Sequence, residues 1–314
     1  MRPDESGGGQ PGVDVLRYAK EFDPVRDTGR DTGRAAAASG GDDGYAEDDE
    51  VYVFDDERLV LAVNVALKTG RPLLLYGPPG SGKSSLAPNV ARILGWRHRS
   101  FVVTARTEPE DLMWRFDALR RLNDAQANAL SEDMAVYYPR GPLWLAFEEA
   151  GASRSVVLID EIDKADPDLP NSLLEPLGSL SFPVPWDSGR RVTVTPAQAP
   201  LVVITTNDER ELPRPFLRRC IVFELSAPSE EHLLRVARKH LGARYDETLA
   251  RQVAGALLNF RDRLDDGAAG PSTAEFLDAL KAGQQLGVVP GTPEWQVLEA
   301  VALRKRRDAW DHRA

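Results

Sequence analysis

The octapeptide GPPGSGKS, residues 77–84, follows the apolar run PLLLY and precedes an amphipathic stretch. It satisfies the spacing G-x-x-x-x-G-K-[ST], in the strand-then-helix context that this spacing needs. Glycines let successive backbone N–H groups turn inward around an anionic group, and the helix that follows adds the partial positive charge of its N-terminus. The stretch Gly77, Pro78, Pro79, Gly80, Ser81, Gly82, Lys83, Ser84 and Ser85 is therefore expected to cradle phosphates. Lys83 should reach the β- and γ-phosphates, and Ser84 should ligate Mg²⁺. Pro88, early in the helix, removes a backbone hydrogen bond and predicts a local kink.

A loop of this kind needs a parallel sheet behind it. Short apolar runs at 72–77, 99–105, 155–160, 201–206 and 220–225 read as buried parallel strands separated by helical patterns, which predicts a doubly wound α/β domain with a five-stranded sheet. The stretch DDERLVLAVNVALKTG has helical spacing, acidic residues in its first turn and a stop at Gly70. After Pro228 the strand signal ends, and 229–241, 246–264, 272–286 and 293–307 read as four helices. The expected division is an acidic Gly-rich disordered tail over 1–50, an α/β domain over 51–227 and a helical domain over 228–314. Within the tail, VDVLRYAKEF (13–22) reads as solvated chain in preference to a short helix or docking motif. The basic end RKRR reads as a solvated helix terminus.

The run VVLIDEIDKAD brings a strand to Asp160 and Glu161 at its carboxyl end, where ligands bind in such sheets. Asp160 is expected to hold Mg²⁺ through its water shell, and Glu161 to act on an attacking water. Asp163, Asp166 and Asp168 read as loop or capping residues. The strand VVITT ends at Asn207. If it lies between the other two strands, Asn207 faces the γ-phosphate and can orient the water. Arg218 and Arg219 stand too far round the sheet to serve the chain's own nucleotide, and an edge arginine can instead enter a neighbour's site, which requires a closed ring.

The net charge is −10, but residues 1–50 hold 13 Asp and Glu against 6 Lys and Arg, so the remainder is close to neutral. That argues against duplex nucleic acid as the main partner. The single cysteine, Cys220, excludes an internal disulfide, reads as a buried core residue and fits a reducing cytoplasm. No signal peptide and no membrane span are expected. His98, His232, His240 and His312 show no metal-type spacing, and neither an N-K-x-D nor a G-x-S-x-G motif occurs.

Taken in order, the phosphate loop, the Asp-Glu box, the strand-end Asn, the edge arginines and the helical lid resemble an AAA+ ATPase, and within that class the MoxR-like group. DEIDKADPDLPNSLLE is similar to that group's DEIN-R-A…LLE stretch, and YYPRGPLWLAFEEA to its segment before the second helix. TEPEDLMWRFDALRRL stands in the place of its helix-2 insertion, and FPVPWDSGRRVTV in that of its hairpin before the sensor strand. The resemblance covers about residues 57–285. It implies that Asn207 is sensor 1 and that Arg219, with Arg218 second, is the finger. It also implies ATP with Mg²⁺ as cofactors, a homo-oligomeric ring such as a hexamer, and a protein client, often with a von Willebrand factor A domain. Trp114, Phe116 and Trp186 read equally as client contacts or core. Two departures mark a side branch. Ala274 replaces the lid arginine, for which Arg235 is a substitute candidate, and the finger segment is short. The expected function is ATP-driven remodelling of a protein partner. A nucleotide-gated scaffold and a nucleic-acid motor are the alternatives.

Overall fold

Asp56 fixes where the first helix starts: its carboxylate accepts the Arg58 N–H, and Gly70 in the left-handed region ends the helix. The computed structural model describes residues 18–25, 51–261 and 270–304. The described elements run α1 (Glu57–Thr69), β1 (Leu73–Tyr76), α2 (Lys83–Leu94), β2 (Arg97–Val102), α3 (Ala118–Gln126), α4 (Pro142–Glu148) and β3 (Ser155–Asp160). There follow α5 (Leu169–Ser172), α6 (Leu174–Ser179), β4 (Ser181–Val184), β5 (Asp187–Thr193), β6 (Leu201–Thr206), α7 (Arg214–Leu217) and β7 (Ile221–Glu224). The last group is α8 (Glu230–Leu241), α9 (Glu247–Arg261), α10 (Thr273–Leu286) and α11 (Pro293–Glu299).

The five strands form one parallel sheet in the order β2-β3-β6-β1-β7. This is the fold of a P-loop NTPase of the AAA+ type, with β6 between β1 and β3. Strand residues alternate between two cores. Leu74, Val157, Ile159, Val202 and Ile204 pack with α4 and the β4–β5 hairpin. Leu73, Leu75, Val156, Leu158 and Val203 pack with α1 and α2. A period of two with both faces apolar is what a sheet covered on both sides requires. The expectation of five buried strands is corrected at the edges: β2 starts at Arg97 and holds only exposed and half-buried residues, as does β7. An edge strand has one neighbour, and its outer residues meet solvent.

Helix α2 runs across Pro88 as one helix, and Asn89 Nδ2 donates to the neighbouring Ser85 carbonyl at 3.0 Å. The helices after Ser229 build a third core around Leu233, Ala237, Val253, Leu257, Phe276 and Leu280. Residues 304–307 of the basic end lie largely outside the described residues.

The solvated-tail reading fails at residues 18–25. Phe22 is fully buried in the core beneath α1, and Asn64 on α1 accepts the N–H groups of Glu21 and Phe22 at 2.8 and 2.9 Å. A buried amide that finds backbone partners orders an extended segment without a helix or strand. The rest of the predicted tail lies outside the described residues.

Trp114, Phe116 and Trp186 meet through Tyr138, at ring separations of 5.7, 5.0 and 4.8 Å. Trp186 also stacks on the buried Trp144. Trp114 and Trp186 pack against the core, whereas Phe116 is partly exposed beside α3, which buries no residue. Among the described residues no helix is long and apolar enough to cross a membrane.

Candidate nucleotide-binding site

The site begins where β1 stops. Gly77 has φ 145°, and a Cβ there would stand 2.2 Å from the Leu225 carbonyl oxygen. Gly80 has φ 76°, and its Cβ would collide with Ser272 at the start of α10. Only glycine meets both demands, so the loop can lie flat between β7 and the helical domain. Gly82 is the N-cap of α2 and offers no side-chain cap, which leaves the first N–H groups of that helix for an anion.

Lys83 is buried and folds back on its own loop, donating to the carbonyls of Gly77 at 2.7 Å and Pro78 at 3.0 Å. Burial lowers its pKa, against the pull of Asp160, Asp163 and Glu161. Ser84 Oγ donates to Asp160 Oδ1 at 2.8 Å. Thr205, on the next strand, donates to the same oxygen at 2.5 Å and accepts the Glu161 N–H at 2.9 Å.

Glu161 itself has φ 61°, a left-handed conformation that non-glycine residues seldom adopt and that is enriched where function demands it. Its carboxylate meets Lys164 Nζ at 2.7 Å, a bond that raises the lysine's pKa. Asp163 is buried and accepts the N–H groups of Asn207 and Glu209 at 3.1 and 3.0 Å. It therefore holds the loop that carries Asn207, in keeping with its loop reading.

Beside these groups lies a cavity of about 310 Å³. Its lining includes Pro79 to Ser85, Asp160, Glu161, Thr205 and Asn207. It also includes Val51, Tyr52, Val53, His232, Val236, His240 and Leu277. Gly77 and Pro78 do not line it. Phosphate-loop groups and carboxylates together with apolar side chains and two imidazoles are a lining that suits the two halves of a nucleotide. The helical domain touches the loop directly: Thr273 Oγ1 donates to the Gly80 carbonyl at 3.3 Å.

Ala274 lines the cavity, so the lid position without an arginine does face the site. Arg235, the substitute candidate, has its guanidinium bonded to Asp55 at 3.1 and 2.6 Å and does not line the cavity. Arg218 and Arg219 lie outside this cavity. They are exposed and line a separate groove of about 900 Å³ with Thr69, Leu174 and Gly178. Arg71 fixes their turn by donating to the carbonyls of Arg218, Arg219 and Cys220. Arg219 Nη1 donates to the Leu174 carbonyl at 3.0 Å.

Sequence reading missed Thr205, Tyr52 and the two cavity histidines. His232, Val236 and His240 recur every four residues, which puts them on one face of α8, and that spacing was the available signal. Thr205 was readable as a polar residue closing a buried strand.

A hydroxyl and a carboxylate sharing one contact, Ser84 with Asp160, are hard oxygen donors of the kind Mg²⁺ takes alongside phosphate oxygens. No cluster of three or more His, Cys, Asp or Glu placed to hold a metal by itself occurs among the described residues.

Residues 72–220 match the family model described as AAA domain (dynein-related subfamily). The chain is 30% identical over 190 residues to Lon protease of Desulforamulus reducens, covering 56% of this chain and 20% of the relative. It is 32% identical over 184 residues to Lon protease of Salinispora arenicola, covering 57% and 21%. The chain thus spans about a fifth of the length of these curated relatives. A solved structure of a provisionally assigned ATPase from Cytophaga hutchinsonii aligns with a TM-score of 0.43 at 17% identity, covering 78% of this chain and 79% of that one. That likeness is too loose to add to the topology described above.

Proposed function

We propose that the chain is a Mg²⁺-dependent ATPase that works as a closed homo-oligomeric ring and uses hydrolysis to remodel a protein partner, in the manner of the MoxR-like group. The reading rests on one observation: Lys83, Ser84, Asp160, Glu161 and Asn207 converge on a single cavity, while Arg218 and Arg219 are presented on another face.

In this reading Lys83 leaves its loop carbonyls and bonds the β- and γ-phosphates, with the N–H groups at the start of α2 beside it. Ser84 and Asp160 would hold Mg²⁺, which would neutralise charge on the transferring phosphoryl group. Glu161 accepts a proton from the attacking water. The Asn207 side chain, on a loop fixed by Asp163, orients that water. An arginine from the neighbouring subunit, Arg219 or Arg218, stabilises the charge that builds up on the γ-phosphoryl oxygens. Its reach into a neighbour closes only with rotational symmetry.

The test is turnover per chain against protein concentration, with mass by light scattering, repeated on mixtures of Lys83→Ala with Arg219→Ala and with Arg218→Ala subunits. Activity that rises with assembly, and partial restoration in one mixture, supports the ring and identifies the finger. Flat activity from a monomer overturns it. The protein client, with a von Willebrand factor A domain as the resemblance implies, is tested by nucleotide-dependent co-purification.

A second reading, a nucleotide-gated scaffold with slow turnover, is favoured by the Glu161–Lys164 ion pair, which occupies the carboxylate that would take the proton. On that reading Lys164→Ala turns over ATP several-fold faster than the parent chain.

A further inference from the structure

Residues 18–25, anchored by the buried Phe22, are joined to the nucleotide cavity by a continuous line of aromatic rings. Phe22 meets Phe54 edge-on at 5.1 Å, and Phe54 meets Tyr52 at 4.6 Å. Tyr52 lies against the phosphate loop, where a Cβ at Gly82 would be 3.2 Å from its ring, and it lines the cavity. Its backbone N–H is held by Asn89 Oδ1 of α2 at 3.1 Å. Burial, and then Asp55 and Asp56, raise the pKa of its hydroxyl, as expected for a ring enclosed on most sides.

At the other end the segment is fastened by groups that belong to the folded domain. Asn64 Nδ2 donates to the Phe22 carbonyl at 2.8 Å, in addition to the two N–H groups its Oδ1 accepts. Lys20 pairs with Glu57 at 3.1 Å, and Glu21 with Lys68 at 2.8 Å and Arg154 at 3.0 Å. Interiors packed at crystal-like density transmit a displaced ring to its neighbours, because no void takes up the change.

We propose that residues 18–25 are a clamp on the nucleotide site, in which Phe22 is a positioning residue that acts through Phe54 to keep Tyr52 seated against Gly82. The clamp rests on the reading of the cavity as a nucleotide site. Linkage then makes the coupling reciprocal: what the clamp does for nucleotide affinity, bound nucleotide does for the clamp.

The test is ATP affinity by calorimetry on the full chain and on full-chain Phe22→Ala, Phe54→Ala, the double variant and Glu21→Ala, each first shown to be folded. Amide exchange at residues 18–25 is read with and without ATP. Phe22→Ala is expected to bind about tenfold more weakly, the upper range for the loss of one aromatic pair. The double variant is expected to bind no worse than the weaker single variant, and ATP should slow exchange at Glu21 and Phe22. A Phe22→Ala chain with parental affinity overturns the clamp, and so do fully additive losses in the double variant. If Phe22→Ala does not fold, Glu21→Ala carries the test, and unchanged affinity together with ATP-independent exchange overturns the clamp. A parent chain that binds no ATP overturns the nucleotide reading and the clamp with it, which separates the two failures.

Discussion

Thr205 holds Asp160 from the adjacent strand, with Oγ1 2.5 Å from Oδ1, and the same hydroxyl accepts the N–H of Glu161. One side chain therefore sets the angle of the carboxylate beside Ser84 and anchors the strained residue that follows it. Thr205→Val keeps the shape and removes the hydroxyl, and is expected to lower turnover about 10- to 100-fold, the range for losing a partner that orients a ligand group. Thr205→Ser should retain most activity. Turnover titrated with Mg²⁺ is the measurement, and the Val variant should need more of it.

Lys83 and Glu161 are expected to separate binding from hydrolysis. Lys83→Ala removes a charged donor from the phosphates and should abolish detectable ATP binding by calorimetry. Glu161→Gln should still bind ATP and hydrolyse it at least about 10²-fold more slowly, as expected when a general base is lost. Near-normal turnover in Glu161→Gln would place the base elsewhere.

Asp55 ties the segment before α1 to the helical domain, with His232 at 2.8 Å and Arg235 at 2.6 Å. Burial works to raise its pKa, but the hydrogen bonds and charges of His232 and Arg235 bring it from 3.8 down to about 2. A carboxylate depressed by folding stabilises the protein above its unfolded value and loses that contribution as pH falls through the folded one. Asp55→Asn should therefore melt below the parent at neutral pH, by about 1 kcal/mol or less for so accessible a network. The gap should close between about pH 4 and pH 2 in thermal melts.

Cys220 is buried, and burial pushes its thiol from 9.0 up to about 12, against a smaller pull from Arg71. The thiolate is the reactive form, so iodoacetamide at pH 8 should leave the native chain unmodified and label it once unfolded in denaturant. The unfolded thiol ionises first, so this group also favours unfolding as pH rises from about 9 to 12.

Much of the site was legible because its signals are local. The glycines, Lys83 and Ser84 fall within eight residues, and Asp160, Glu161 and Asn207 each close an apolar run that is a strand. What stayed hidden depends on partners distant in sequence. Phe22 sits in a stretch too polar to suggest burial, and its anchor, Asn64, is 42 residues away. Thr205 matters only because β6 lies beside β3, and the Asp55–His232 contact spans 177 residues. The exposed edges of β2 and β7 follow from strand order, which apolar runs alone do not encode.

The same strand order has a consequence for biosynthesis. β1 pairs with β6 on one side and β7 on the other, and Tyr76 and Glu224 stand 148 residues apart in the chain. At roughly 5–20 residues per second, the strand that leads into the phosphate loop waits roughly 7–30 s on the ribosome before its second neighbour is made. During that interval the apolar β1 has no partner on either edge until β6 is complete. The sheet behind the phosphate loop of a nascent chain is therefore unfinished until nearly the whole α/β domain has emerged.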